Sequence, residues 1–295
     1  MKPLVLYHDN CADGFGAAFA AWLKLGDEAE YVAMKYNDLN NTPPTLDRDV
    51  YILDFSFSRE EMDRIFQGAK RVVWLDHHAS AFKDHGFTIN APGEPAVTPL
   101  TKHDIILDNN RSGALIAWEY FHPDTEAPML IKHIDDYDRW QFKLKGTKEI
   151  NKALWSFTPW TFPLWQEIID VDQYGSMWSQ GSAILRAHDQ NVKSVVKSAA
   201  RPCTIRPGWK LDTYDGLIAN CPPHLTSDVG HELATKSGTF GLCWTLKKEG
   251  LIANCSLRSN GDYDVSAIAA TFGGGGHRNA AGFEVPINVL LGWMT

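Results

Sequence analysis

Four apolar residues, Val72 to Leu75, run straight into Asp76, His77 and His78. A short apolar run bounded by polar residues reads as a strand buried on both faces of a parallel sheet. The polar triplet then falls at the C-terminal end of that strand, the edge of an open α/β sheet where ligands bind. Two adjacent imidazoles beside a carboxylate suit a metal ion, because His offers a neutral nitrogen and Asp offers charge or orients a ligand from behind. A polar turn would account for the triplet taken alone. What argues against it is that the arrangement recurs along the chain.

Leu4 to Tyr7 reads as a short strand and is followed by His8, Asp9, Cys11, Asp13, Gly14 and Gly16, then by a helix rich in Ala to about Leu25. Strand, polar glycine loop and helix open a doubly wound unit, and the two glycines let backbone approach a ligand. Asp13 also suits a plain helix cap. Tyr31 to Met34 reads as a second strand and 37–48 as a loop. Val50 to Leu53 is another apolar run, ends in Asp54, and precedes a helix over Arg59–Gln67 capped by Ser58. Three apolar strands thus deliver carboxylates or imidazoles at their C-terminal ends, and parallel strands put those ends on one side of a sheet. His8, Asp13, Asp54, His77 and His78 can therefore converge.

From Ser112 the pattern turns helical. A second helix, Ala127 to Trp140, carries His133, Asp135, Asp136 and Asp138. Three carboxylates so close repel one another unless cations compensate; a solvated acidic helix end is the alternative. Helix over 147–157 and a turn rich in Trp and Pro close the first domain. The spacing predicts one long helix over 175–200, read as a connector. Beyond it, strands (211–221, 240–246, 251–258) alternate with helices (227–236, 265–272), up to the run Gly273, Gly274, Gly275, Gly276, His277, Arg278. Four consecutive glycines make sense where backbone amides cradle an anion or a flat ring. The expected architecture is α/β: an N-terminal doubly wound, mostly parallel sheet (1–175), a connecting helix (176–200) and a smaller α/β domain (201–295).

Net charge −8 argues against an electrostatic grip on long nucleic acid, which needs a basic stripe, but not against a short nucleotide. The five cysteines show no CxxC spacing, so a reducing cytoplasm is expected. Neither a signal peptide nor an apolar run of about 18 residues is read from the sequence, so no membrane partner is expected. The hexapeptide Gly-Leu-Ile-Ala-Asn-Cys occurs at 216–221 and 250–255 and is read as two strands, too short to be a repeat.

On these residues the chain resembles the DHH phosphoesterases carrying a DHHA1 domain, the superfamily of the RecJ exonucleases and the bacterial nano-RNases. Asp76-His77-His78 looks like the signature that names the family. His8 to Gly16 looks like its first motif, Asp54 its second, and Asp136-Tyr137-Asp138 its fourth. Gly273 to Phe283 is similar to the glycine core of DHHA1, and Ser256 to Ser259 to its phosphate-binding strand. The resemblance implies two divalent ions, Mn²⁺ foremost with Mg²⁺ as the alternative. Asp13, Asp54, His77 and Asp136 would hold metal, with His8 or Asp9 completing the second site; whether Asp136 or Asp138 is the ligand stays open. His78 would face the phosphate, with Asp76 in the catalytic group. Arg258, Ser259, Gly274, Gly275, Gly276 and His277 would bind the nucleotide. Two departures stand out. Cys11 replaces the family's usual aspartate, and His8 lies one residue nearer Asp13 than usual. Because a thiolate is a soft donor and Mn²⁺ prefers oxygen and nitrogen, Cys11 is expected to pack under the loop.

The implied function is hydrolysis of short RNA or DNA oligonucleotides or linear dinucleotides to mononucleotides, by a monomer or homodimer. The alternatives are hydrolysis of 3′-phosphoadenosine 5′-phosphate or of a cyclic dinucleotide, and a nucleotide-binding protein without catalysis in which Cys11 is the lesion.

Overall fold

The computed structural model describes residues 1–35, 42–99, 101–170, 174–207, 213–247 and 250–294. Strands β1 (Leu4–His8), β2 (Glu30–Met34), β3 (Asp49–Leu53), β4 (Arg71–Asp76) and β5 (Asp104–Leu107) form an all-parallel sheet in the order β2-β1-β3-β4-β5. Its helices are α1 (Ala12–Leu25), α2 (Arg59–Gly68), α3 (Ala79–Asp84), α4 (Gly113–Phe121), α5 (Met129–Asp138), α6 (Thr147–Ser156) and α7 (Phe162–Asp170). The strands are apolar on both sides because both faces are covered. Val73 and Leu75 pack into a core with α1, α4, α5, α6 and α7, while Val72 and Trp74 pack with α2 and α3. This is the doubly wound sheet the sequence implies. Its strand order reverses between β1 and β3, the crevice where such sheets bind ligands.

Local chemistry explains the element boundaries. Ser58 caps α2 by accepting from the Glu61 amide at 3.3 Å. α1 and α4 approach closely because their facing residues are small: a Cβ on Gly16 would lie 2.9 Å from that of Ala114. The segment expected to be a turn rich in Trp and Pro contains α7 instead. Pro163 sits in its first turn, where a missing N–H costs nothing, and Trp165 is fully buried beneath it. The polar segment 37–48 lies partly outside the described residues.

The chain divides into two compact units, Met1–Leu185 and Arg186–Thr295, and the division falls inside the long helix α8 (Tyr174–Ala199). The second unit holds a mixed sheet of β6 (Arg201–Ile205), β7 (Tyr214–Asn220), β8 (Phe240–Leu246), β9 (Ile252–Ser259), β10 (Gly275–His277) and β11 (Ala280–Pro286), in the order β10-β11-β9-β8-β7-β6. It also has helices α9 (Thr226–Ser237), α10 (Val265–Ala270) and α11 (Ile287–Leu291). The strand expected from residue 211 begins at Tyr214 among the described residues.

The glycine run is largely part of a hairpin: Gly275 to His277 pair antiparallel with Ala280 to Gly282. A Cβ on Gly274 would sit 2.1 Å from the Gly282 carbonyl oxygen. Gly276, at φ +138°, would put one 2.5 Å from that of Ala280. Tight hairpin packing therefore dictates glycine at both positions before any ligand is considered.

Candidate active site

The C-terminal ends of three adjacent parallel strands, β1, β3 and β4, deliver His8, Asp54 and the Asp76-His77-His78 turn to one edge of the sheet. Asp13 arrives from the first turn of α1 and Asp138 from the last residue of α5. His77 Nε2 lies 3.2 Å from Asp54 Oδ1 and 3.5 Å from both Asp13 Oδ2 and Asp138 Oδ2. His8 Nδ1 lies 3.5 Å from Asp54 Oδ2.

These side chains form two trios that share Asp54: Asp13, Asp54 and His77, and His8, Asp54 and His78. Within each trio the donor atoms all lie within 4.8 Å of one another. Asp54 is 1% exposed, and neither of its oxygens receives a well-formed hydrogen bond. A buried carboxylate whose nearest polar partners are the His77 and His8 rings, at 3.2 and 3.5 Å, calls for further positive charge, which suits a cation. Its backbone sits at φ +53°, a conformation rare for non-glycine residues and concentrated at functional sites. Oxygen and imidazole donors suit Mn²⁺ or Mg²⁺, and the residues present fit a divalent ion.

The charge pattern agrees. Burial pushes the Asp13 and Asp138 carboxyls upward, with the charge of Asp54 adding to the effect. Burial would raise Asp54 too, but His77 and His8 outweigh it and hold Asp54 well below the usual carboxylate range. Burial pulls His77 down, yet Asp54, Asp138 and Asp13 outweigh it and raise it well above normal. Carboxylates crowded until they resist ionisation are what a bound cation relieves.

Around this centre, several groups hold position without being donors. Asp13 accepts from the amides of Gly113 and Ala114 at 2.7 and 2.8 Å, at the positive end of α4. Gly113 must be glycine, because a Cβ there would lie 2.5 Å from Asp54 Cβ. Asp76 Oδ1 accepts from the His77 and His78 amides (2.7 and 3.1 Å) and lies 2.7 Å from His78 Nδ1. That contact fixes the ring. Burial lowers His78, but the Asp76 carboxylate outweighs it and the net shift is upward. Asp76 thus acts through His78 and the turn. Asn109 Nδ2 donates to the His77 carbonyl at 3.0 Å. Neither Gly113 nor Asn109 is singled out by the sequence.

Two expected ligands lie differently. Asp136 does not face His77; Asp138 does. Asp136 accepts from the Lys143 amide at 2.8 Å, the Leu144 amide at 3.1 Å and the Thr147 hydroxyl at 2.5 Å, which fastens the loop after α5. His133 Nδ1 backs the same hydroxyl at 2.8 Å. Asp9 is drawn off to Lys35, with Oδ2 3.1 Å from the ammonium, and belongs to neither trio. Cys11 also stands outside both trios. Burial first, then the charges of Asp54, Asp138 and Asp13, push its thiol well up.

In the second unit, Arg258, Ala280 and His277 are register partners across β9, β11 and β10, so their side chains leave one face of that sheet. Arg258 Nη2 donates to Ser227 Oγ at 3.0 Å beside a cavity of ≈ 250 Å³ lined also by Thr226, Asn254 and Ser256. Ser259 does not join it. It is buried on the opposite face, and its hydroxyl donates to the Tyr263 carbonyl at 2.6 Å.

No family model matches the chain. An uncharacterized protein of Acanthamoeba polyphaga mimivirus is 30% identical over 305 aligned residues, covering 95% of this chain; the chain spans 66% of that protein's length. The fold is similar to that of the pGpG-specific phosphodiesterase PggH of Vibrio cholerae, with a TM-score of 0.52 at 14% identity, over 98% of this chain and 94% of that one. RecJ of Thermus thermophilus, solved with Mn²⁺, aligns with a TM-score of 0.51 at 11% identity, over 99% of this chain and 50% of that one. The chain has the DHH/DHHA1 phosphoesterase fold. A further exonuclease RecJ bound to manganese aligns with a TM-score of 0.50 at 12% identity, over 99% of this chain and 88% of that one. Within this fold, the two trios lie at the switch point of the DHH sheet. No helix among the described residues is long and apolar enough to cross a membrane.

Proposed function

We propose that the protein is a metal-dependent phosphodiesterase that hydrolyses short oligonucleotides or linear dinucleotides to mononucleotides. The observation that carries this reading is Asp54: a buried carboxylate whose oxygens receive no well-formed hydrogen bond, common to two trios of oxygen and nitrogen ligands. Asp13, Asp54, His77 and Asp138 would hold one ion, and His8, Asp54 and His78 would flank the other. A pair of divalent ions supplies Lewis acidity and lowers the pKa of water from about 15.7 towards about 7. The chain's own residues do the rest. Asp76 holds the His78 ring so that Nε2 can meet a phosphate oxygen or a ligand. The amides at the start of α4 keep Asp13 aimed at His77. In the second unit, Arg258 and His277 would bind phosphate, with Gly273 and Gly275 the glycines of that run around which a Cβ would meet nothing within 4 Å.

The similarity of fold to PggH and RecJ supports phosphodiester chemistry, and Mn²⁺ is favoured because the RecJ structures contain it. None of the five cysteines is bridged, which supports a reducing, cytoplasmic setting. A panel of labelled dinucleotides, longer RNAs and DNAs, cyclic dinucleotides and 3′-phosphoadenosine 5′-phosphate, incubated with Mn²⁺ and resolved by product length, tests the reading. Mononucleotides from the linear substrates are expected. Cleavage of the cyclic dinucleotides alone would move the assignment to the other member of the class, and no cleavage of any would end it.

A further inference from the structure

Directly after Asp138 the chain runs from Arg139 to Lys148. Those ten residues contain four cations, two aromatic rings and no acid, in a chain of net charge −8. Lys143, Lys145 and Lys148 are exposed, and Trp140 is 39% exposed. Trp140 and Phe142 sit at φ +55° and +50°, where side-chain-bearing residues are rare. Such strain persists only where the surroundings over-determine it. Asp136 supplies that restraint by accepting from the Lys143 and Leu144 amides and the Thr147 hydroxyl. The rings are propped edge-on, Trp140 against Phe142 at 4.7 Å and against Tyr137 at 5.7 Å. The Lys148 ammonium lies 4.5 Å over the Phe142 ring. A turn with no task would release the strain and bury the indole; this one is braced in the opposite state.

We propose that residues 139–148 form a strand-binding rim, on which Trp140 stacks against a nucleobase while Lys143 and Lys145 contact the phosphates of a single-stranded oligonucleotide. The proposal rests on the reading of the site as a phosphodiesterase centre and extends it to the rest of the substrate. Asp138 and Trp140 are two residues apart, so their α-carbons are no more than about 7 Å apart. A strand with its scissile phosphate at Asp138 therefore passes within reach of the rim. Aromatic platforms interleaved with cations are how single strands are held without sequence preference. Ten residues of basic chain in a protein of net charge −8 offer only a few phosphate contacts, which suits a short strand better than a long duplex. Arg139 contributes less, because its guanidinium is 3.3 Å from Asp135.

The test uses the full chain with Mn²⁺ and fluorescein-labelled, phosphorothioate-linked single strands, from dinucleotide to heptanucleotide. Fluorescence anisotropy is read over a range of salt. The parent should bind longer strands more tightly. Trp140→Ala should weaken binding about five- to a hundredfold, and Trp140→Phe should restore most of it, which separates stacking from a folding defect. Lys143→Gln with Lys145→Gln should flatten the length dependence and reduce the salt slope by about 1.4, roughly 0.7 per phosphate contact. Variants that match the parent in affinity, length dependence and salt slope, while the parent still cleaves oligonucleotides, overturn the rim and leave the active-site reading standing. Equal competition by a poly-glutamate peptide also overturns it, since the surface would then bind any polyanion. If the parent neither binds nor cleaves any strand, the rim falls together with the reading of the site.

Discussion

Adding a single methyl group at Gly113 should cripple the site. In Gly113→Ala the new Cβ would lie 2.5 Å from Asp54 Cβ and 2.8 Å from its Oδ1. Carbon atoms in contact sit at about 3.5–4.0 Å, so roughly 1 Å has to be found. Asp54 has little to give. It is buried at φ +53°, and its amide is tied to the Leu75 carbonyl at 2.9 Å. The first turn of α4 must therefore retreat, pulling the Gly113 and Ala114 amides off Asp13. Helix propensity favours alanine by at most about 1 kcal/mol. Overpacking costs about 1–3 kcal/mol, and each weakened charge-assisted hydrogen bond up to about 1.5–3 kcal/mol. The clash wins, and a net destabilisation of about 1–4 kcal/mol is expected. Displacing site groups by about 1 Å can cost about a hundredfold in rate. Urea unfolding reads the first number, and hydrolysis of bis-p-nitrophenyl phosphate, alongside Mn²⁺ titration, reads the second. A Gly113→Ala protein with parental stability and a rate within about twofold would refute the packing argument.

His77→Ala should lose hydrolysis and at least one bound ion while the circular dichroism spectrum stays parental, because His77 sits at a strand end and not in a core. Full activity with unchanged metal content would remove it from the ligand set. Cys11→Ser should keep its metal stoichiometry and most of its activity; an inactive variant holding one ion fewer would show that the thiolate is a ligand. Thr147→Val removes a hydroxyl that serves Asp136 and should cost about 1–3 kcal/mol in urea unfolding, whereas parental stability would show that the loop after α5 is held otherwise. His103 accepts from the Val72 amide through Nδ1, and burial lowers its pKa. Its contribution is therefore complete above the unfolded value of about 6.5 and is lost as pH falls through the lower folded value. Stability measured against pH should fall more on acidification in the parent than in His103→Gln, and parallel curves would contradict this.

The strand ends were legible because apolar runs stop abruptly at His8, Asp54 and Asp76, and parallel pairing leaves those ends no other place to go. What was not legible depends on tertiary placement. Asp136 and Asp138 are two residues apart on α5, about 200° around the helix, so they face opposite ways, and composition cannot say which way the sheet lies. Asp9 is drawn to Lys35, a partner from the end of another strand. The glycine run suggested a ligand cradle, yet Gly274 and Gly276 are needed by a hairpin that no local pattern announces. Gly113 resembles any first helical residue until Asp54 is seen against it.

The central claim is that Asp54 is shared by two metal positions. Native mass spectrometry of the parent, Asp54→Asn and Asp13→Asn, each titrated with Mn²⁺, tests it most directly. Two ions in the parent, tight binding lost at both positions in Asp54→Asn and at one in Asp13→Asn, is the predicted result. An Asp54→Asn protein that still binds two ions with parental affinity would contradict it.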